Sequence, residues 1–192
     1  MIKKPKVVFI AFLMLSISSC SSDKHIEFHE NGNVKTLGQF DNDQRTGTWY
    51  YFKNTSDTLK VIEYARGNII VENKYFSNRI HLVSRYDKGL KIHETTYYPN
   101  GKKECEFPIK DDLQDGLCKC YFENGQVKSI FNMIVGKPHN EYNEYFENGQ
   151  IKLEADNYGN GVHIYYDSLG NSRMYYFKDF EEMDSVTYYS IQ

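Results

Sequence analysis

Tyr121-Phe122-Glu123-Asn124-Gly125-Gln126-Val127-Lys128 is followed 24 residues later by Tyr145-Phe146-Glu147-Asn148-Gly149-Gln150-Ile151-Lys152. A near-identical octet at fixed spacing marks a chain built by repetition, and such a chain is read by its period. Asn100-Gly101 stands 24 residues before Asn124-Gly125, with the lead-in Tyr97-Tyr98-Pro99. Phe28-His29-Glu30-Asn31-Gly32-Asn33-Val34-Lys35 is a further copy, 69 residues before Asn100 by its own asparagine. That interval holds two worn copies, Tyr51-Phe52-Lys53-Asn54 and Tyr75-Phe76-Ser77-Asn78. Both lack the glycine, so departures from regular geometry are expected between Thr55 and Arg85. Tyr165-Tyr166-Asp167-Ser168-Leu169-Gly170 is a seventh copy with one extra turn residue.

Each unit reads as a β-hairpin. Asn-Gly between β-formers is the strongest short hairpin signal, because a two-residue type I′ turn needs positive φ at both positions. Beyond the turn the residues alternate: Val127, Ser129 and Phe131 against Lys128, then Ile151, Leu153 and Ala155 against Lys152, Glu154 and Asp156. This is the period of a half-buried strand. Polar segments at Asp43–Gly47, Asp111–Gly116, Gly136–Asn140 and Asn157–Gly161 join one unit to the next. The expected fold is all-β: an elongated antiparallel meander of about seven hairpin repeats of 21–24 residues, with up to fourteen strands in a single twisted sheet over residues 26–178. A two-residue turn would set Glu123 against Gln126, Phe122 against Val127 and Tyr121 against Lys128. One face would then gather Phe122, Val127, Cys120, Phe131, Phe146, Ile151 and Leu153 as the core side. The other would carry Tyr121 beside Lys128, Tyr145 beside Lys152 and Phe28 beside Lys35, either as a solvated face of ring–lysine pairs or as a ligand-binding aromatic row. Tyr121 and Tyr145 are its candidate ligand-facing residues.

These octets resemble the bacterial MORN-repeat variant found in YwqK-type proteins, which are commonly labelled antitoxins. The joint Asn42-Asp43-Gln44-Arg45-Thr46-Gly47-Thr48-Trp49-Tyr50-Tyr51-Phe52 resembles that family's Gly-x-x-x-Gly-x-Trp-x-x-Tyr, with Asp43 in place of the first glycine. The resemblance spans residues 25–178. It implies a hairpin-repeat fold and, through the family label alone, an antitoxin or immunity role. Repeats of this kind serve many scaffolds, so the resemblance speaks to fold more than to function.

The first twenty residues give an address. Lys3, Lys4 and Lys6 form a basic region, and Val7–Leu15 an apolar run too short to span a bilayer. An N-terminal signal helix over residues 1–19 is expected. Ile17-Ser18-Ser19-Cys20 resembles a lipobox, the processing site of bacterial lipoproteins. The resemblance makes Cys20 the lipid-attachment residue and residues 20–25 a lipidated tether. Acyl chains would anchor the domain at about 0.8 kcal/mol per buried methylene. Ser21 resembles the residue after the cysteine in lipoproteins sorted to the outer membrane, and the nearby acid resembles surface-export tethers. The expected location is the bacterial cell envelope, at the outer membrane.

Removal of residues 1–19 takes away three lysines and no acid, leaving 20 cations against 26 acids. Interspersed charge of that sign argues against nucleic acid, which needs clustered cations. The full chain has 17 Tyr and 12 Phe. Large rings supply contact area where a thick core is missing.

Cys105, Cys118 and Cys120 remain after Cys20. Cys118 and Cys120 share a face, and Cys105 on the preceding strand faces the same side. The three are either small buried hydrophobes or a Cys105–Cys118 or Cys105–Cys120 disulfide with one thiol left over. No clear fourth ligand completes a zinc site, so no metal and no cofactor are expected. The six histidines form no His-x-x-x-His pair, and nucleotide-binding and nucleophile-elbow motifs are absent. Asp111-Asp112 and Glu181-Glu182 read as solvated turn charge. The chain therefore reads as a non-enzyme. Arg173–Lys178 reads as a strand, Asp179–Asp184 as an acidic turn and Val186–Ile191 as a last strand, with residues 179–192 capping the array. The function expected is a lipid-anchored scaffold that binds a protein in the envelope; toxin neutralisation and glycan binding are the alternatives.

Overall fold

The computed structural model describes residues 23–157, 160–178 and 181–188. The expected signal helix, Cys20 and the last four residues lie outside the described residues. Among the described residues sixteen strands occur: β1 (Asp23–Phe28), β2 (Val34–Asp41), β3 (Gln44–Phe52), β4 (Thr58–Ala65), β5 (Asn68–Phe76), β6 (Arg79–Asp87), β7 (Leu90–Tyr97), β8 (Lys103–Lys110), β9 (Leu113–Gln114), β10 (Gly116–Tyr121), β11 (Val127–Ile134), β12 (Lys137–Tyr145), β13 (Ile151–Ala155), β14 (Gly161–Tyr166), β15 (Ser172–Lys178) and β16 (Glu181–Tyr188). They form one antiparallel sheet in sequence order, with only β9 off the path, paired to β8. The all-β meander is as the period predicts; β9 is an unexpected short strand, and the expected last strand begins at Glu181 rather than Val186. Glu181, Glu182 and Asp184, read from sequence as an acidic turn, pair with Lys178, Phe177 and Tyr176 instead. Among the described residues β16 pairs with β15 alone.

The two long edges of the sheet use different turns. At 29–33, 53–57, 98–102, 122–126, 146–150 and 167–171, the first residue's N–H donates to the fifth residue's carbonyl, and the fourth residue's N–H to the first's carbonyl, at 2.8–3.1 Å. This is a type I turn closed by a bulge whose fourth residue has positive φ. Gly32, Gly101, Gly125, Gly149 and Gly170 hold that place at φ +83 to +91, and Ser56 holds it at +71. The asparagines before the glycines keep ordinary φ. Their side chains instead accept the N–H two residues on, in Asn33, Lys102, Gln126 and Gln150, at 2.8–3.1 Å.

The Asn-Gly pairs therefore do not form the expected type I′ turns. That geometry lies on the opposite edge, at 42–43, 66–67, 88–89, 111–112 and 135–136, where both residues have positive φ. Asp43, which stands where the resembling joint has glycine, sits at φ +59, a conformation aspartate tolerates. The bulges also correct the expected partners. Tyr121 pairs with Val127, Tyr145 with Ile151 and Phe28 with Val34, not with the lysines that follow. Lys128 lies over Phe122 at 5.9 Å, Lys152 bonds Glu144 at 2.8 Å and Lys35 bonds Glu27 at 2.7 Å. Beyond the bulge the expected register returns, with Cys120 opposite Ser129.

One row of partners crosses the sheet from Thr36 through Tyr51, Lys60, Lys74, Leu82, Thr96, Cys105, Cys120, Ser129, Glu144 and Leu153 to Tyr165. Partners share a face. Beside this row, on the same face, runs the best-buried file: Trp49, Ile62, Glu72 and Ser84, then Cys118, Ala155 and His163. Most of the core is a line along this face; Val61, Val83 and Thr95, one residue out of phase with it, are buried on the other. Trp49 is fully buried; its indole N–H donates to the Gln39 carbonyl at 3.2 Å, the Arg45 guanidinium lies 4.5 Å over its ring, and Phe40 meets it edge-on at 4.9 Å. A Cβ on Gly38 would sit 2.2 Å from the indole, so only glycine leaves room for the ring. The middle of the file is polar and satisfied. Glu72 accepts from Lys60 and Tyr86 at 3.2 Å each, and Glu94 accepts from Ser84 at 2.9 Å and Lys91 at 2.8 Å.

The narrowest junction is between β8 and β10, which share two residue pairs, Lys119–Glu106 and Cys120–Cys105. The remaining edge of β8 pairs with β9, and the Asp115 N–H donates to the Pro108 carbonyl at 3.0 Å. A Cys105–Cys120 disulfide closes this junction, with Cα atoms 4.1 Å apart, and Cys118 stays a buried thiol. Of the readings open in the sequence, direct cross-strand pairing selects Cys120.

Gly38→Ala is expected to cost about 3 kcal/mol by overpacking against the rigid indole. Gly125→Ala, whose Cβ would meet nothing within 4 Å, is expected to cost about 1–2 kcal/mol through its positive φ alone. Urea titration of the two variants checks the order. Replacing Cys105 and Cys120 together by serine opens a cross-link of separation 15 and is expected to cost about 3 kcal/mol, read as a lower urea midpoint that dithiothreitol reproduces in the parent.

Candidate binding surface

The edge of bulged turns is tied from turn to turn by side chains 21–23 residues apart. His29 Nε2 bonds the Phe52 carbonyl at 3.0 Å, and the Tyr98 hydroxyl donates to the Tyr121 carbonyl at 2.8 Å, so the first residue of a turn reaches the residue before the next. Asn31 and Asn33 donate to the Asn54 carbonyl at 2.8 Å, and Asn100 donates to Glu123 Oε2 at 3.0 Å. The edge is a hydrogen-bonded rail.

The rail changes at one place. Ser77 and Asn78, in the second of the two worn copies, make a two-residue turn with φ +48 and +58, and Phe76 pairs directly with Arg79. Two residues reach less far than the bulged loops on either side, so the edge is notched. Asn78 bonds back to Asp57 at 2.9 Å, and Arg79 bridges forward with Nη1 2.7 Å from the Pro99 carbonyl. Under that bridge lies an open cleft of ≈ 620 Å³ lined by Arg79, Ile80, Val83, Tyr97, Pro99 and the 100–101 turn. Phe76, 70% exposed, and His81, edge-on to it at 6.4 Å, line a smaller adjoining hollow. Within the stretch Thr55–Arg85, where departures were expected, β4, β5 and β6 stay paired along their length, with register shifts at Glu63/Tyr64 and Lys74/Tyr75 and the shortened turn at Ser77-Asn78.

The sequence-predicted aromatics sit elsewhere. The Tyr121 hydroxyl donates to Glu106, and Lys103 lies 5.6 Å over its ring. Burial, with the Glu106 charge beside it, pushes the Tyr121 hydroxyl up to about 12. Tyr145 is half-buried opposite Ile151. Burial opposes the charge on Glu94 and Glu106, but hydrogen bonds from Lys91 and Ser84, and from Lys103 and Tyr121, outweigh it and hold both carboxyls below the usual range. Burial pushes the Cys118 thiol up to about 11, which makes it a poor nucleophile at neutral pH. Among the described residues no three His, Cys, Asp or Glu side chains are grouped to hold a metal ion, and no helix is long and apolar enough to cross a membrane. Sequence reasoning missed Arg79 and Phe76; the absent glycine after Asn78 did not mark them, since the glycine is absent after Asn54 too and the bulged turn forms there.

A family model described as MORN repeat variant matches residues 24–42, 92–111, 114–134 and 138–160. Those segments cover β1–β2, β7–β8, β9–β11 and β12–β13. The matches skip residues 43–91, where the two turns without glycine lie. No curated protein matches the chain. Among solved structures, the crystal structure of the GtfA/B complex bound to UDP and GlcNAc is similar over 56% of this chain and 22% of that one, at 11% identity and a TM-score of 0.27. This chain thus spans about a fifth of that length, and a likeness so low says nothing of function.

Depressed carboxyls stabilise the fold above the unfolded carboxylate pKa of about 4.3, and that contribution is lost as pH falls through the folded values. The melting temperature is expected to drop between pH 5 and 3, and Glu94→Gln to drop less over the same interval, measured by circular dichroism.

Proposed function

We propose that the chain is a lipid-anchored binding scaffold of the bacterial cell envelope, held to the outer membrane through Cys20, that captures a protein partner on its sheet. The observation that carries the reading is the architecture: one continuous sheet of repeated hairpins that leaves its clefts shallow and open. Arrays of this kind present long surfaces, and tethering concentrates them at a membrane. Two features support the location. The first twenty residues combine a basic start, a short apolar run and a cysteine after small residues. The Cys105–Cys120 disulfide suits an oxidising compartment, since cytosolic thiols are kept reduced. The match to the MORN repeat variant supports a scaffold rather than a catalyst.

Cys20→Ala is expected to move the protein from the membrane fraction to the soluble fraction without changing its melting temperature. Unaltered fractionation would remove the anchoring claim. Cross-linking in intact envelopes with the lipidated chain as bait is expected to recover a discrete protein; recovery of polysaccharide alone would contradict the scaffold reading.

A further inference from the structure

We propose that the notch beneath Arg79 is a peptide-recognition site, and that its ligand is a polypeptide segment in which an aromatic or branched aliphatic side chain stands beside a carboxylate. This deepens the scaffold reading and rests on it. The apolar part comes from the lining. Exposed Ile80 and Pro99, with Tyr97 as the wall, line both the cleft and the hollow that adjoins it; buried Val83 floors the cleft, and exposed Phe76 lines the hollow. A volume of ≈ 620 Å³ suits one or two side chains of a ligand.

The charged part comes from Arg79. Its guanidinium is held across the mouth by the Pro99 carbonyl, which uses one of its five N–H donors. The described residues contain five Lys–carboxylate ion pairs, and none involves Arg79. An arginine positioned by a backbone carbonyl, with donors to spare, is prepared for a carboxylate. His81 and Lys102 stand exposed nearby. Of the surrounding acids, Asp57 already accepts from Asn78 and Thr55, and Glu123 accepts from Asn100; Glu104 lies near Tyr98.

Other ligand chemistries fit less well. A sugar needs many free polar groups, yet Asn100 is committed at both ends, to Glu123 and to the Lys102 N–H. A free anion would find one positioned guanidinium but no backbone donor at the turn, because the Gly101 N–H is bonded to the Tyr98 carbonyl. Strand addition is blocked, since β6 and β7 are paired on both sides. Side-chain capture remains.

The test is to pan the full-length chain, in detergent micelles, against a library of short displayed peptides. Enriched sequences are expected to share an aromatic or branched aliphatic residue next to Asp or Glu. For a synthetic copy followed by fluorescence polarisation, Arg79→Gln is expected to weaken binding roughly ten- to hundredfold, the effect of losing a charged hydrogen bond. Phe76→Ser, which breaks no hydrogen bond and alters an exposed residue, is expected to weaken it about tenfold or more. Arg66→Gln, on the opposite edge, should leave it unchanged. If Arg79→Gln lowers the melting temperature, Phe76→Ser decides alone. No enrichment, enriched peptides without an acid, or peptides that bind Phe76→Ser as well as the parent would overturn the proposal. Fractionation of Cys20→Ala reads anchoring separately, so either claim can fail without the other.

Discussion

A sheet one layer thick has no second layer to shield it, and every strand is buried only by its neighbours. This constraint shapes the rest of the molecule. The buried file from Trp49 to His163 is a line, one or two residues deep, so area must come from long side chains lying along the surface. Arg45 covers Trp49, Lys60 covers Tyr51 at 5.0 Å and Lys103 covers Tyr121. A charge in the middle of the file is tolerated because Glu72 and Glu94 each have two partners. No buried side-chain nitrogen or oxygen among the described residues lacks one.

A line-shaped core survives only if register is kept, because a slip of one residue turns each side chain to the opposite face. The two edges keep register by different means. One uses two-residue turns with both φ positive. The other uses bulged loops whose asparagines fasten the loop, while neighbouring turns are tied by side chains. Repetition gives this edge its rail, and the one turn shortened to two residues, Ser77-Asn78, gives it a notch. The site with the most chemistry thus lies where the repeat is broken: a shortened turn exposes Phe76, opens a cleft and leaves Arg79 to bridge the gap.

The period, the hairpins and the single sheet were legible in the sequence because Asn-Gly and its aromatic lead-in are local signals at constant spacing. The turn type was not. Asn-Gly suits a type I′ turn and equally a type I turn with a glycine bulge, and the choice moves the partner of Tyr121 from Lys128 to Val127. The sequence left open whether the cysteines pair at all, and with which partner, since Cys118 and Cys120 share a face; only the short β8–β10 ladder places Cys120 opposite Cys105. The cleft was hidden, because it depends on Ser77-Asn78 reaching less far than the loops beside it. No motif announces an unpaired arginine.

Backbone nuclear Overhauser contacts across β10–β11 and β12–β13 test the central claim, that bulged turns set the register of one continuous sheet. The account predicts Tyr121 against Val127 and Tyr145 against Ile151, with Cys120 against Ser129 and Cys105 against Cys120 in the same spectrum. Contacts from Tyr121 to Lys128 and from Tyr145 to Lys152, or none joining β8 to β10, would contradict it.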